Sequence, residues 1–325
     1  MPHLLWGVLI ISFAPILIHI APLSADEIAL YRMLLGCLFF AGFGTLQQRR
    51  QRAQPPDNQP PDKQTKDHLL TPREKKLALL GGFAFAVDLM CWHRSIHFIG
   101  PGLATLVVST QVLMVGGASF FLPGPNPRKG FWLSAALCLS GLALLVKGSQ
   151  HSNILVGLGL SGLAAVGYTV YLLTLKQIAQ PHLAKTLRVM QWVSGSSALW
   201  IILYMGWDLT RRQVGFALPQ RWETWAIILA YGLLIQGVAW TLISTAMRKM
   251  RPFRVSLFLL LQPLLATVWD ALFFGKQLSA LENTGVFLVF AGILGSFLFT
   301  ESKWTLPRRR KSGHPPPEGP VAISG

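Results

Sequence analysis

The chain has 325 residues, of which 52% are hydrophobic and 13% charged, with a mean hydropathy of +0.46. Soluble domains carry about 25% charged residues, so neither a water-soluble fold nor a disordered chain fits this composition. The net charge of +16 would point to nucleic acid in a soluble protein. No basic stripe interleaves with exposed aromatics here, and loops on the cytoplasmic side of membrane proteins collect Lys and Arg.

The apolar residues come in runs of about 20, the length of a helix that crosses a bilayer core. Backbone groups in lipid must pair internally, so helices or a closed barrel are the choices. Barrel strands alternate apolar and polar residues; these runs are continuous, which selects helices. Ten spans are expected, at 4–21, 27–46, 76–98, 102–122, 129–146, 154–176, 185–207, 222–246, 252–274 and 280–299. The first is read as retained rather than as a signal peptide, because "MPH" lacks the Lys or Arg of an n-region and the apolar run is too long. The second span carries Arg32, and the polar loop 47–75 after it, with "QPPDNQPPDKQ", reads as disordered and cytoplasmic.

The third span holds Asp88 about 18 Å from its start, close to the bilayer midplane. An ionised acid at that depth costs about 2.5–3.5 kcal/mol on insertion scales and commonly faces a cavity, substrate or proton path; the alternative is a neutral, hydrogen-bonded acid joining helices. Asp88, Trp92 and Ser95 share one face. His93 and Arg94 lie near the outer end, as a gate or as snorkelling groups. The fourth span contributes Gln111. Tyr168 and Tyr171 in the sixth line a chamber or simply pack. In the eighth, Gln236 and Trp240 repeat the i, i+4 spacing and form the wall opposite Asp88 and Trp92, or are core. In the ninth, "LLLQPLLATVWDALFFGK" places Gln262, Ala266, Trp269 and Asp270 on one stripe. Pro263 removes an N–H there and bends the helix, a hinge tolerated where other groups satisfy the backbone. Asp270 is a second candidate for proton coupling beside Asp88, or a cap pairing with Lys276. The tail 303–325, with "RRRK" and "PPPEGP", reads as basic, Pro-rich and disordered.

With a cytoplasmic N-terminus, 22 of the 29 Lys and Arg fall on the cytoplasmic side and seven outside, which places both termini inside. Cys37, Cys91 and Cys138 lie within apolar runs and read as buried hydrophobes, not a disulfide framework.

An internal repeat organises the spans. At one gap-free offset Pro101 meets Pro252, Thr105 meets Ser256, Gln111 meets Gln262, Gly124 meets Gly275 and Gly141 meets Gly292. Upstream, "YRMLL" around Arg32 echoes "LRVMQ" around Arg188. Each half holds five spans, an odd number, so the halves cross in opposite senses. Inverted repeats mark secondary transporters, with the binding site at midplane between the halves. The fold class expected is all-α integral membrane: ten transmembrane helices in two inverted five-helix repeats, residues 1–147 and 148–302, followed by the tail.

The stretch "YGLLIQGVAWTLISTAMRKMRPFRVSLFLLLQPLLATVWDALFFGKQLS" resembles the second repeat of the drug/metabolite transporter superfamily, EamA type, and "IALYRMLLGCLFF" is similar to that family's second span, whose Arg would be Arg32. The resemblance covers about residues 4–300. It implies ten helices, inverted repeats, an inner-membrane location, and export or exchange of small metabolites such as amino acids through a cavity lined by the first, third and fourth helices of each repeat. The sequence departs from the family pattern in three places: Val112 stands where Pro263 would have its counterpart, and Gly124 and Gly275 are followed by Pro125 and Lys276 rather than Glu.

The expected function is a secondary transporter of a small, amino-acid-like or related organic metabolite, working outward by alternating access. Its substrate-binding candidates are Asp88, Trp92, Gln111, Gln236, Trp240, Gln262 and Trp269. Partners are the small molecule, lipid and protons as a candidate coupling ion, with no nucleic acid, and the assembly is a monomer or homodimer. No cofactor or metal is called for. A channel or non-transporting membrane protein is the alternative. An enzyme is less well supported, since no HExxH, GxSxG or Walker A pattern is present.

Overall fold

The computed structural model describes residues 2–53, 70–122, 126–146, 154–178, 183–212, 218–274 and 279–300. Within them the first segment is α1 (Pro2–Ile11) with α2 (Ala14–Ile20). It is followed by α3 (Ala25–Ala53), α4 (Pro72–Ser109), α5 (Gln111–Ala118), α6 (Lys129–Val146), α7 (Ile154–Gln177) and α8 (Leu183–Arg212). Then come α9 (Trp222–Ala230), a π-helical segment (Tyr231–Ala239), α10 (Trp240–Met247), α11 (Pro252–Leu259), α12 (Leu261–Phe274) and α13 (Ala280–Thr300).

Three helices start at Ser/Thr-x-x-Glu pairs that satisfy orphan N–H groups reciprocally. The Ser24 N–H donates to Glu27 Oε2 at 2.9 Å and the Glu27 N–H to Ser24 Oγ at 3.3 Å. Thr71 and Glu74 do the same at 2.8 and 3.2 Å, with Pro72 as the first helical residue. So do Ser279 and Glu282, at 2.8 and 3.2 Å. The loop expected over 47–75 is shorter than that. Helix α3 runs on to Ala53 and α4 begins at Pro72, because "QQRRQR" is built of good helix formers. Residues 54–69 and the tail expected over 303–325 lie outside the described residues.

Although α4 is continuous in its hydrogen bonding, it is not a straight rod. Trp92 Nε1 donates to Thr105 Oγ1 at 3.3 Å, and thirteen residues of straight helix would separate their backbones by about 20 Å. The helix therefore bends sharply between Trp92 and Thr105, and the apolar stretches Pro72–Ile99 and Ala104–Phe121 lie on either side of residues 100–103. Five described helical stretches are long and apolar enough to cross a membrane: these two, Ala25–Gln47, Ile154–Gln177 and Trp222–Met247. Pro2–Ile18, Lys129–Leu144, Pro252–Ala266 and Ala280–Gly295 are further apolar stretches, counted over residues whose side chains are described. Helix α8 is long but more polar, and its serines explain why. Ser196 and Ser197 are buried and donate to Leu79 O at 3.1 Å and Gly82 O at 2.8 Å. They join α8 to α4 instead of facing lipid.

The packing has an internal correspondence. Helix α3 packs on α8, α6 on α13, and α5 on α11; in each pair the partners stand at matching places in the two repeats. The contact of α4 with α7 is matched by that of α10 and the π segment with α1. That of α4 with α8 is matched by the π segment with α3. A two-repeat architecture fits this pattern. Close approach is made by glycine: a Cβ on Gly141 would lie 2.6 Å from Gly285 O, and one on the equivalent Gly292 would lie 2.6 Å from Cys138 Sγ.

Candidate functional site

A cavity opens where the broken elements meet. It encloses about 580 Å³ of unfilled space, counting the part that opens to solvent, and α1, α2, α3, α4, α5, α7, α10, α11 and α12 all reach it. Four of its walls are irregular. The first segment breaks at Ser12–Phe13, the fourth at Thr110 and the ninth at Leu260. Each break turns on a tight bond to the third residue back: Phe13 N–H to Ile10 O at 3.2 Å, Thr110 N–H to Val107 O at 3.1 Å, and Leu260 N–H to Leu257 O at 3.1 Å. The eighth carries the π segment, a device that concentrates at functional sites. Non-α backbone at membrane depth is tolerated where it is buried in protein or lines a cavity.

The fourth and ninth breaks fall within one residue of equivalence, yet only the ninth has the proline. Pro263 cannot donate to Leu259 O, and both residues line the cavity. In the fourth element Val112 retains its N–H, and the break follows hydroxyls instead. Thr110 Oγ1 donates to Val107 O at 2.6 Å and Ser109 Oγ to Thr105 O at 2.7 Å; such back-bonding bends helices.

Five of the seven substrate-binding candidates line the cavity: Asp88, Trp92, Gln111, Trp240 and Gln262, together with the hinge candidate Pro263. Asp88 is 5% exposed, and among the described residues no donor reaches its carboxylate. Gln111 is 1% exposed, and its Oε1 has no partner; nor does Trp240 Nε1. A buried polar atom left unpaired costs about 1–3 kcal/mol; Gln111 Oε1 and Trp240 Nε1 are two such atoms, and the Asp88 carboxylate lines the same cavity. Trp92, Tyr168 and Trp240 supply flat apolar surface beside them. Below, Phe85 stacks on Tyr171 at 4.3 Å, and Trp240 meets both edge-on at 5.4 and 4.9 Å. This aromatic cluster closes one side; Tyr171 belongs to it and not to the lining.

Two candidates stand elsewhere. Gln236 is fully buried behind the wall, with its Oε1 accepting from Arg32 Nε at 3.0 Å and its Nε2 donating to Ser194 Oγ at 3.2 Å. The π geometry turns it toward α3, where Gly36 leaves it room. Trp269 donates from Nε1 to Ser12 Oγ at 2.8 Å and stacks on Phe13 at 4.6 Å. It fastens the break of the first segment to α12. The side chain of Asp270 lies outside the described residues.

Arg32, absent from the sequence-based candidates, lines the cavity, as do Thr105 and Ser109. Its signal was available: an arginine in the middle of an apolar run is as costly as an aspartate. His93 is buried and Arg94 is partly exposed. His93 is 1% exposed with Nδ1 2.9 Å from Ala25 O, and Arg94 pairs with Asp26 at 2.5 Å over the Tyr204 ring. These contacts tie the end of the third segment to the start of α3. Lys176 fills a matching role at the end of α7, donating to Met247 O at 2.5 Å and Met250 O at 2.8 Å. Among the described residues no group of three His, Cys, Asp or Glu gathers as a metal site.

A sequence model of the EamA-like transporter family matches the chain twice, over residues 3–147 and 155–298. No curated protein sequence matches it. A crystal structure of a protein at 16% identity shares the fold with a TM-score of 0.71, over 91% of this chain and 97% of that one.

Proposed function

The chain belongs to the EamA-like transporter family, and from that premise we propose that it is a secondary transporter that moves a small, amino-acid-like metabolite outward by alternating access. Membership makes it a multi-pass membrane protein of transporter type. The finer reading has ten crossings, in inverted repeats over 1–147 and 148–302, in an inner membrane with both termini cytoplasmic and the protein acting as monomer or homodimer. It is supported by the charge bias of the loops and by the matched packing of the two halves.

The observation that carries the reading is the unpartnered Asp88 in a cavity walled by broken helices. Half-helix ends and freed backbone groups at a midplane site are the working parts of carriers. Thr110 and Leu260 are points about which each repeat can rock, and Pro263 leaves Leu259 O without its helical donor in the second. Cargo would lie against Trp92 and Trp240, with Gln111 and Gln262 hydrogen-bonding it. Asp88 serves as cargo ligand and as the group that exchanges a proton when cargo leaves; Asp270 is the second candidate for the exchange. The test is counterflow of radiolabelled amino acids in proteoliposomes with and without a pH gradient. Saturable counterflow that Asp88→Asn deprives of its pH dependence is expected. Unsaturable flux, or a pH response intact in Asp88→Asn, would overturn the carrier or the coupling assignment respectively.

A further inference from the structure

The best-organised polar group in the cavity wall is not the acid but Arg32. It is 3% exposed. Its Nε donates to Gln236 Oε1 and its Nη1 to Tyr231 Oη, both at 3.0 Å. Gln236 is itself held by Ser194 Oγ at 3.2 Å, so the acceptor cannot swing away. The rings of Tyr231 and Phe85 lie 5.0 and 5.4 Å from Cζ. Every one of these partners is neutral. Among the described residues no carboxylate is within ion-pair distance, and Asp88, which lines the same cavity, forms no pair with it. A guanidinium has five N–H donors; two are spent on the bracket and three are left. A buried cation held in place by neutral groups, with donors to spare, is expensive unless something else brings the charge.

We infer that Arg32 is the seat for an anionic oxyacid group of the cargo, and that Asp88 takes a cationic group on the same molecule. The cargo is then a compact zwitterion. Gln236, Tyr231 and Ser194 are positioning residues: they fix the plane of the guanidinium so that its free edge meets a carboxylate in two parallel bonds. The two charges of the wall stay apart because the ligand is what joins them. This assignment rests on the transport reading for its cargo, and it removes Gln236 from the groups that touch cargo.

The experiment uses the full chain, purified in detergent for titration and reconstituted for counterflow. The probes form two sets that differ by one charge at a time: leucine, isoamylamine and 4-methylpentanoate; and tryptophan, tryptamine and indole-3-propionate. In at least one set the zwitterion is expected to bind about tenfold or more tighter than either analogue. Arg32→Gln should erase the preference for zwitterion over amine while amine binding survives. Asp88→Asn should erase the preference for zwitterion over acid. Arg32→Lys, which keeps the charge but not the fork, should restore part of the ratio. Tyr231→Phe, a milder change that removes one bracket bond, should lower the ratio without abolishing it. If Arg32→Gln does not fold, an unchanged ratio in Tyr231→Phe overturns the assignment. So do equal affinities for zwitterion and amine in the wild type, failure of both zwitterions to bind, or a ratio that survives in folded Arg32→Gln. The expected ratios without counterflow would overturn the transporter reading and leave the seat standing; counterflow with an unaltered ratio in Arg32→Gln would do the reverse.

Discussion

The third and eighth segments sit at matching places in the two repeats and use their polar residues in opposite ways. The third is regular α-helix through Asp88, whose carboxylate reaches the cavity with no donor. The eighth is π-helical through Gln236, whose amide is saturated between Arg32 and Ser194. One segment leaves its polar group open to the cavity; the other spends its group on holding a neighbour. Similar spacing, Asp88–Trp92 and Gln236–Trp240, therefore does not mean similar duty. The difference lies in the π geometry and in the glycines of the contact: Gly232 and Gly237 leave no room for a Cβ against Leu35 and Phe39.

The contrast predicts that the two segments fail differently. The largest effect is expected at Asp88→Asn: a stable, well-behaved protein whose transport efficiency falls about 100-fold, about 2.7 kcal/mol of lost stabilisation, read as counterflow rate against substrate concentration. Gln236→Leu should do the converse. It strands Arg32 Nε in the interior and costs about 1–3 kcal/mol, seen as a lower melting temperature in detergent. A Gln236 variant as stable as the wild type would show that the bracket is not what holds the wall. Gly36→Ala puts a methyl into the space of the Gln236 side chain and should cost about 1–3 kcal/mol by overpacking. Combined with Gln236→Leu its cost should not add, since the two share one contact; strict additivity would break the pairing of α3 with the π segment.

A smaller effect is expected from Pro263→Ala. The fourth segment breaks at Thr110 with Val112 in the matching place, so proline is not required for the break. Stability should change by less than about 1 kcal/mol, in the range of ordinary substitutions away from special features. Counterflow should slow only as far as the hinge stiffens. A full loss of transport would show that the ninth break depends on Pro263 in a way the fourth does not.

Much of the architecture was readable from the chain. Apolar run length indicated helices, and a fixed offset of Pro, Gln and Gly indicated two halves. Midplane polar residues identified the elements around the cavity, and five of the seven nominated side chains line it. Trp269 stands apart from the lining because a helical stripe shows which face a residue occupies, not whether that face meets a cavity or another helix; here it meets Phe13 and Ser12. Arg32 was legible as an arginine inside the apolar second span, but its partners Gln236 and Tyr231 lie in the other half of the chain.

Composition and period thus determined the solvent, the helices and the duplication, because transfer of apolar groups and backbone hydrogen bonding are local and additive along a run. Only tertiary structure decided which polar atoms would be satisfied. That choice depends on what stands opposite, and Gln236 and Arg32, 204 residues apart in the chain, are 3.0 Å apart in the fold. Whether a buried polar group becomes a support or a binding site is settled by its partner, and the partner lies in the other half of the chain.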